Sequence, residues 1–293
     1  MLTRRELFPA AALLPAVASG APPTAEGKAP RLKTALCAYS FRKALGEGSL
    51  SYLDLVDMAV ENDIEGIDST VYWFPQESLD SFLASFRRKA YLAAVELPSI
   101  AIRTDLCRPT SREQEREAAW LQHWVDVSDR LGSSHIRVFG GNVPDGSDEN
   151  AAAGWVAEIL KRVADYAAGR GIVLGLENHG GITSRAERII EIVEAVDHPN
   201  VGINLDTGNF RSEPYEQIEM CLPYAVNSQF KVHIRDERGN HEPSDWERIV
   251  RMFAKAGYRG YMALEYEAAE DPFQAVPRHL ARLRQLARRF SAA

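Results

Sequence analysis

Four runs in the C-terminal half of this chain each end on a side chain that can bind a cation or carry a proton. They are IVLGLE (172 to 177), VGINLD (201 to 206), SQFKVH (228 to 233) and YMALE (261 to 265), ending on Glu177, Asp206, His233 and Glu265. Successive ends lie about 30 residues apart, the length of one strand-plus-helix unit. A chain that repeats strand then helix lays its strands parallel, so that all their C-terminal ends face one way. If the sheet closes into a barrel, those ends surround a common mouth, and barrel active sites lie there. Few other folds bring four residues so spaced to one point.

The rest of the body supports closure. Further strand candidates are 34–40 (TALCAYS), 64–69 (IEGIDS), 92–97 (LAAVEL) with 99–102 (SIAI) close by, and 134–139 (SHIRVF). With the four runs above this makes eight. Amphipathic stretches fall between them at 51–63, 111–132, 150–171, 184–200 and 245–260. Ser184 with Glu187 three residues on predicts a capping box, and Gly-Arg-Gly at 169–171 predicts a helix stop. A doubly wound open sheet would show a glycine-rich turn after its first strand. Here that position reads Tyr39-Ser40-Phe41-Arg42, with neither G-x-G-x-x-G nor a P-loop. The expected architecture is therefore an α/β, single-domain (β/α)8 TIM barrel over residues 31–293.

Residues 1–30 read differently. Thr3-Arg4-Arg5-Glu6-Leu7 is a twin-arginine pattern, a short apolar stretch follows, and Ala16-Val17-Ala18 is an A-x-A cleavage candidate. Pro9 and Pro15 interrupt the stretch, so no membrane span is expected. A proline- and glycine-rich linker runs to residue 30. The expectation is a cleavable signal segment and a periplasmic protein; a cytoplasmic one with a plain N-terminal tail is the alternative. Three scattered cysteines, Cys37, Cys107 and Cys221, give no disulfide framework and no zinc pattern. Cys37 and Cys221 read as buried small apolar residues. A net charge of −7 argues against nucleic acid as a partner.

Carboxylates buried on barrel strands need a cation or a polar network. Three carboxylates with one imidazole suit one divalent ion, Mn²⁺, Mg²⁺ or Co²⁺, with Zn²⁺ also compatible. Around this set stand candidate substrate contacts. His179 follows Glu177 by two residues, and Asn178 and Asn209 sit at the same rim. Arg211 and Arg235 follow Asp206 and His233. Arg137 is a charge within the fourth strand. Tyr39, Phe41, Trp73 and Phe74 lie in the first two βα loops, where aromatic faces suit a sugar ring. For each of these, ordinary packing or surface pairing is the competing explanation.

The segments LENHGG (176 to 181), VGINLDTGN (201 to 209), KVHIRD (231 to 236) and ALEYE (263 to 267) resemble the xylose-isomerase-like barrel superfamily over about residues 33–288, in particular its sugar isomerase and epimerase branch. The resemblance implies that Glu177, Asp206, His233 and Glu265 take the metal-ligand positions and that Glu177 and Glu265 move protons. It implies a carbohydrate substrate, α-proton transfer through a metal-stabilised enediolate, and a possible homo-oligomer. The same site would serve a lyase or dehydratase acting on a keto-sugar, keto-glycoside or cyclitol. A non-catalytic sugar-binding barrel is a third reading, opposed by the intact Glu177/Glu265 pair. The DNA-repair branch would need His at 209 and D-x-H after the seventh strand. This chain has Asn209 and Asp236-Glu237-Arg238.

Overall fold

The structure is a computed structural model that describes residues 29–236 and 238–291. The twin-arginine pattern, the cleavage candidate and most of the linker lie outside the described residues. Eight parallel strands close into a barrel: β1 (Arg31–Cys37), β2 (Gly66–Thr70), β3 (Glu96–Ala101), β4 (His135–Phe139), β5 (Val173–Glu177), β6 (Val201–Asp206), β7 (Ala225–Phe230) and β10 (Arg259–Leu264), with β10 returning to pair with β1. The two remaining strands, β8 (His233–Arg235) and β9 (His241–Pro243), form an antiparallel hairpin outside the barrel. Helices α1 (Arg42–Glu47), α2 (Tyr52–Glu61), α3 (Leu79–Leu92), α4 (Ser111–Leu131), α5 (Glu149–Ala168), α6 (Ala186–Val196), α7 (Pro214–Cys221), α8 (Trp246–Lys255) and α9 (Pro272–Phe290) surround it. Among the described residues no helix is long and apolar enough to cross a membrane.

Local chemistry sets the helix starts. Ser51 with Asp54, and Thr110 with Glu113, form capping boxes at α2 and α4; Asp148 and Asp245 cap α5 and α8. The box expected at Ser184 does not form. Ser184 is consumed by the preceding turn, where its N–H donates to the Gly181 carbonyl, and α6 starts two residues later. The Gln217 side chain, reaching over from α7, accepts from Ala186 N at 2.8 Å instead.

Three strands also differ from expectation. β1 ends at Cys37, three residues before the expected end at 40, and the chain turns into a 3-10 helix over Ala38–Phe41. The pair of runs at 92–97 and 99–102 is one strand, β3, carrying Pro98 at a register shift against β2. Such an irregularity is where a strand tolerates a proline. The seventh strand lies three residues earlier than SQFKVH. Asn227 and Gln229 belong to it and point into a polar interior, so its inward face does not read as apolar. Asn227 Nδ2 donates to Asn204 Oδ1 at 2.9 Å, and Asn204 Nδ2 donates to Gln229 Oε1 at 2.9 Å. The chain leaves the barrel at Lys231, and His233 pairs with Pro243 in the hairpin.

Below this layer the buried His135 ring meets Ser99 Oγ at 2.9 Å through Nδ1. A Cβ on Gly175 would stand 2.2 Å from His135 Nε2, so only glycine lets the imidazole fill the barrel floor. Burial, with Arg137 nearby, lowers the His135 pKa from 6.5 to about 3. The unfolded chain therefore takes up a proton near pH 6.5 that the folded protein refuses until about pH 3. This contribution to stability is whole above pH 6.5 and falls by up to about 1.4 kcal/mol per pH unit below it. Urea unfolding between pH 7 and pH 5 should show a shallower loss of stability in His135→Gln than in the wild type; equal slopes would exclude this residue as a source.

Candidate active site

Each acid at the barrel mouth is placed by the end of its strand. Glu177 and Asp206 are the last residues of β5 and β6, and Glu265 is the first after β10. The corresponding place after β7 belongs to Lys231. Its level is fixed, because Glu265 N donates to the Phe230 carbonyl at 3.0 Å. The Lys231 main chain is held on both sides: its N–H donates to Thr207 Oγ1 at 3.1 Å, and its carbonyl accepts the Trp246 indole N–H at 2.8 Å.

The Lys231 ammonium sits among carboxylates. Nζ donates to Glu265 Oε1 at 2.7 Å and to Glu267 Oε2, and lies 3.5 Å from Asp206 Oδ2. The side chain is 10% exposed. Burial works against its charge, but Asp206, Glu265 and Glu267 together hold its pKa well above the ordinary lysine value. Gly208 makes room for it. A Cβ there would meet Lys231 Cβ at 2.5 Å and the His233 carbonyl at 2.6 Å.

Arg137 is the second buried cation. Its Nε is 3.0 Å from Glu177 Oε2, but the alignment is poor, and neither Nε nor Nη1 has a hydrogen-bond partner. The guanidinium stacks over Phe139, 4.0 Å from the ring centre. Glu177 Oε1 accepts from Asn209 Nδ2 at 3.2 Å. The two glutamates occupy different fields. Burial raises the Glu177 pKa well above the ordinary range, with Arg137 opposing and Asp206 and Glu265 adding to the rise. Burial would also raise Glu265, but Lys231 and Arg137 hold it below that range. The Cys37 thiol, at the end of β1, completes the setting of Glu265 by donating to Oε2 at 3.6 Å.

Glu177, His179, Asn209, Arg137, Tyr39 and Glu265, all expected at the site, line one cavity of about 260 Å³. Asp206 is fully buried, with Oδ1 accepting from Gly208 N at 2.8 Å. The His179 ring packs on Phe139 at 3.9 Å, and burial lowers its pKa to about 4, keeping it neutral. Trp73 stands behind Tyr39, with ring centres 6.0 Å apart, and does not line the cavity. His233 and Arg235 are on the hairpin and line a neighbouring cavity with Arg211 and His241. Arg235 Nη1 donates to the Gly239 carbonyl at 3.0 Å.

Five lining residues were not singled out from the sequence: Lys231, Arg103, Tyr72, Phe139 and Glu267. Arg103 lies 4.4 Å over the Tyr72 ring. The available signal was positional. Arg103 and Lys231 fall just past strand ends, as the expected site residues do, but a strand drawn to end at 233 hides Lys231 inside it.

The donor set does not fit a divalent cation as it stands. Among the described residues no three His, Cys, Asp or Glu side chains are grouped to hold a metal. Oxygen ligands of Mg²⁺ or Ca²⁺ lie about 2.0–2.6 Å from the ion. An ion bridging Asp206 and Glu265 at such distances would share the space that Lys231 Nζ fills. Like charges 4 Å apart cost roughly 4 kcal/mol per unit pair near a protein surface. The imidazole expected as the fourth ligand is two residues further on, on the hairpin.

A closed parallel barrel with paired acids and cations at its C-terminal mouth has the layout of a (β/α)8 enzyme. The chain belongs to the xylose isomerase-like TIM barrel family, whose profile matches residues 54–286. A 3-dehydroshikimate dehydratase from Bacillus anthracis is 23% identical over 247 residues, covering 80% of this chain and 82% of the relative. The structure of a D-psicose 3-epimerase with D-tagatose from Clostridium cellulolyticum H10 superposes with a TM-score of 0.70 at 14% identity, covering 88% of this chain and 99% of that one. A xylose isomerase-like barrel from Mycobacterium smegmatis in complex with magnesium gives 0.68 at 19% identity, covering 92% and 99%. At these identities the two solved structures share the fold with this chain.

Gly208→Ala should displace Lys231 and destabilise the protein by about 1–3 kcal/mol, the usual cost of overpacking. Denaturant unfolding reads this directly; an unchanged midpoint would mean that Lys231 does not follow this path.

Proposed function

We propose that this protein is a sugar isomerase or epimerase that moves a proton next to a carbonyl group of a small carbohydrate. The observation that carries the reading is the pair Glu177 and Glu265, two buried carboxylates on strand ends separated by β6 and β7, facing one small cavity that Arg137 and Lys231 also line. Such a pair can address one carbon from two directions. The cavity also carries Tyr39, Tyr72 and Phe139 beside its polar groups, a mixture suited to a polyol with one apolar ring face.

The step is redox-neutral overall. One carboxylate accepts the proton from the carbon next to the carbonyl. The C–H electron pair becomes the carbon–carbon double bond of an enediolate, and the carbonyl π pair moves onto oxygen. The unpaired donors of Arg137 and the ammonium of Lys231 stabilise that oxygen by preorganised charge. Reprotonation of the same carbon on its other face by the second glutamate, acting as its carboxylic acid, gives an epimer. Reprotonation of the neighbouring carbon, with the hydroxyl proton passing from the oxygen that becomes the carbonyl to the former carbonyl oxygen, gives an aldose–ketose isomer. His179, neutral and at the rim, orients a hydroxyl.

The dehydratase among the relatives supports a second reading. In it the same enolate expels a β-hydroxyl, which leaves as water after taking a proton from the second glutamate.

Incubation in D₂O with ketoses, keto-acids and 3-keto-glycosides, followed by mass spectrometry, separates these readings. Deuterium in an intact sugar is expected, and loss of water marks the dehydratase. Glu177→Gln and Glu265→Gln should each lower exchange by ~10²–10⁴-fold, the usual size of a general acid–base contribution. A glutamine variant exchanging at the wild-type rate would remove that glutamate from the reaction.

A further inference from the structure

We propose that the Lys231 ammonium takes the place of the divalent cation that the resemblance implies, so that this chain carries its positive charge covalently and binds no metal at the barrel mouth. Three independent features of the chain build the ammonium into the site. The Lys231 main chain is pinned by Thr207 and Trp246. Gly208 leaves free the space that the stem of the side chain occupies, since a Cβ there would stand 2.5 Å from Lys231 Cβ and 2.6 Å from Lys231 Cγ. Nζ then ends within 3.5 Å of Asp206 and 2.7 Å of Glu265, two of the carboxylates assigned to the ion, and beside Glu267. The remaining expected ligand, His233, is carried away on the β8–β9 hairpin.

An ammonium and a divalent ion do related work at an enediolate. Each stabilises charge that develops on oxygen, but an ammonium does so by hydrogen bonds and keeps its proton. Lys231 reaches the cavity that Glu177 and Glu265 share, so its ammonium can turn toward a substrate oxygen while the carboxylates hold its stem in place. What the ammonium does in turnover rests on the proton-transfer reading above. Whether a metal binds does not.

The test is Mn²⁺ binding to the full chain after dialysis against a chelator. Metal content by mass spectrometry, isothermal titration and thermal unfolding are read for the wild type, Lys231→Met and Lys231→His. The wild type should retain substoichiometric metal and show no midpoint shift with Mn²⁺. Lys231→Met, and more strongly Lys231→His, should gain a Mn²⁺-dependent midpoint rise as the freed carboxylates find a new cation. Solvent exchange by the wild type should be unaffected by a chelator. One bound Mn²⁺ per wild-type chain, with a midpoint rise that Lys231→Met leaves unchanged, would overturn the proposal. If the variants fail to fold, the wild-type titration alone decides. Absence of both metal and exchange would leave the proposal standing and sink the isomerase reading; metal uptake together with exchange would do the reverse.

Discussion

Burying several carboxylates at the end of a barrel requires a positive partner within reach, and in this protein the partner is Lys231. A lone buried ion is costly to desolvate, and a buried pair is favourable only with good geometry and further hydrogen bonds. The ammonium meets that condition by touching Glu265 and Glu267 and lying close to Asp206. Much of the surrounding sequence follows from it. Gly208 must lack a side chain, Thr207 and Trp246 must hold the main chain, and the strand must end early enough for Lys231 to stand level with Glu265. Removing the ammonium would leave acids that repel one another inside the fold.

The second cation, Arg137, plays a different part. It lies against Glu177 without forming aligned hydrogen bonds, and Nε and Nη1 remain free of partners although the residue is almost fully buried. Unsatisfied buried donors are costly and tend to mark places where a ligand completes the set. Together the two cations divide the mouth into a Glu177 side, pushed toward the protonated form, and a Glu265 side, held ionised. Burial and neighbouring charges thus push two similar carboxyl groups in opposite directions.

The barrel was legible from periodicity. Eight runs at βα spacing, the missing glycine-rich turn and four reactive run ends led to the closed sheet, and all eight strands overlap their expected ranges. Glu177, Asp206 and Glu265 were visible because each closes an apolar run. What stayed hidden in the seventh strand follows from the polarity of the barrel interior. Asn227 and Gln229 break the apolar signal of β7, so the run was read too late and His233 stood where Lys231 belongs. Arg103 and Tyr72 come together only through the tertiary fold. The capping box at Ser184 failed for a local reason, since the glycine turn before it had already engaged that residue.

The chemistry of the mouth turns on what fills the space between Asp206 and Glu265. The most direct measurement is a crystal structure of the wild-type protein grown with excess Mn²⁺, with diffraction recorded at a wavelength where manganese scatters anomalously. Side-chain density for Lys231 reaching Glu265, with no anomalous peak among the carboxylates, is the expected result. An anomalous peak bridging Asp206 and Glu265, with Lys231 swung aside and His233 turned in as a ligand, would contradict it.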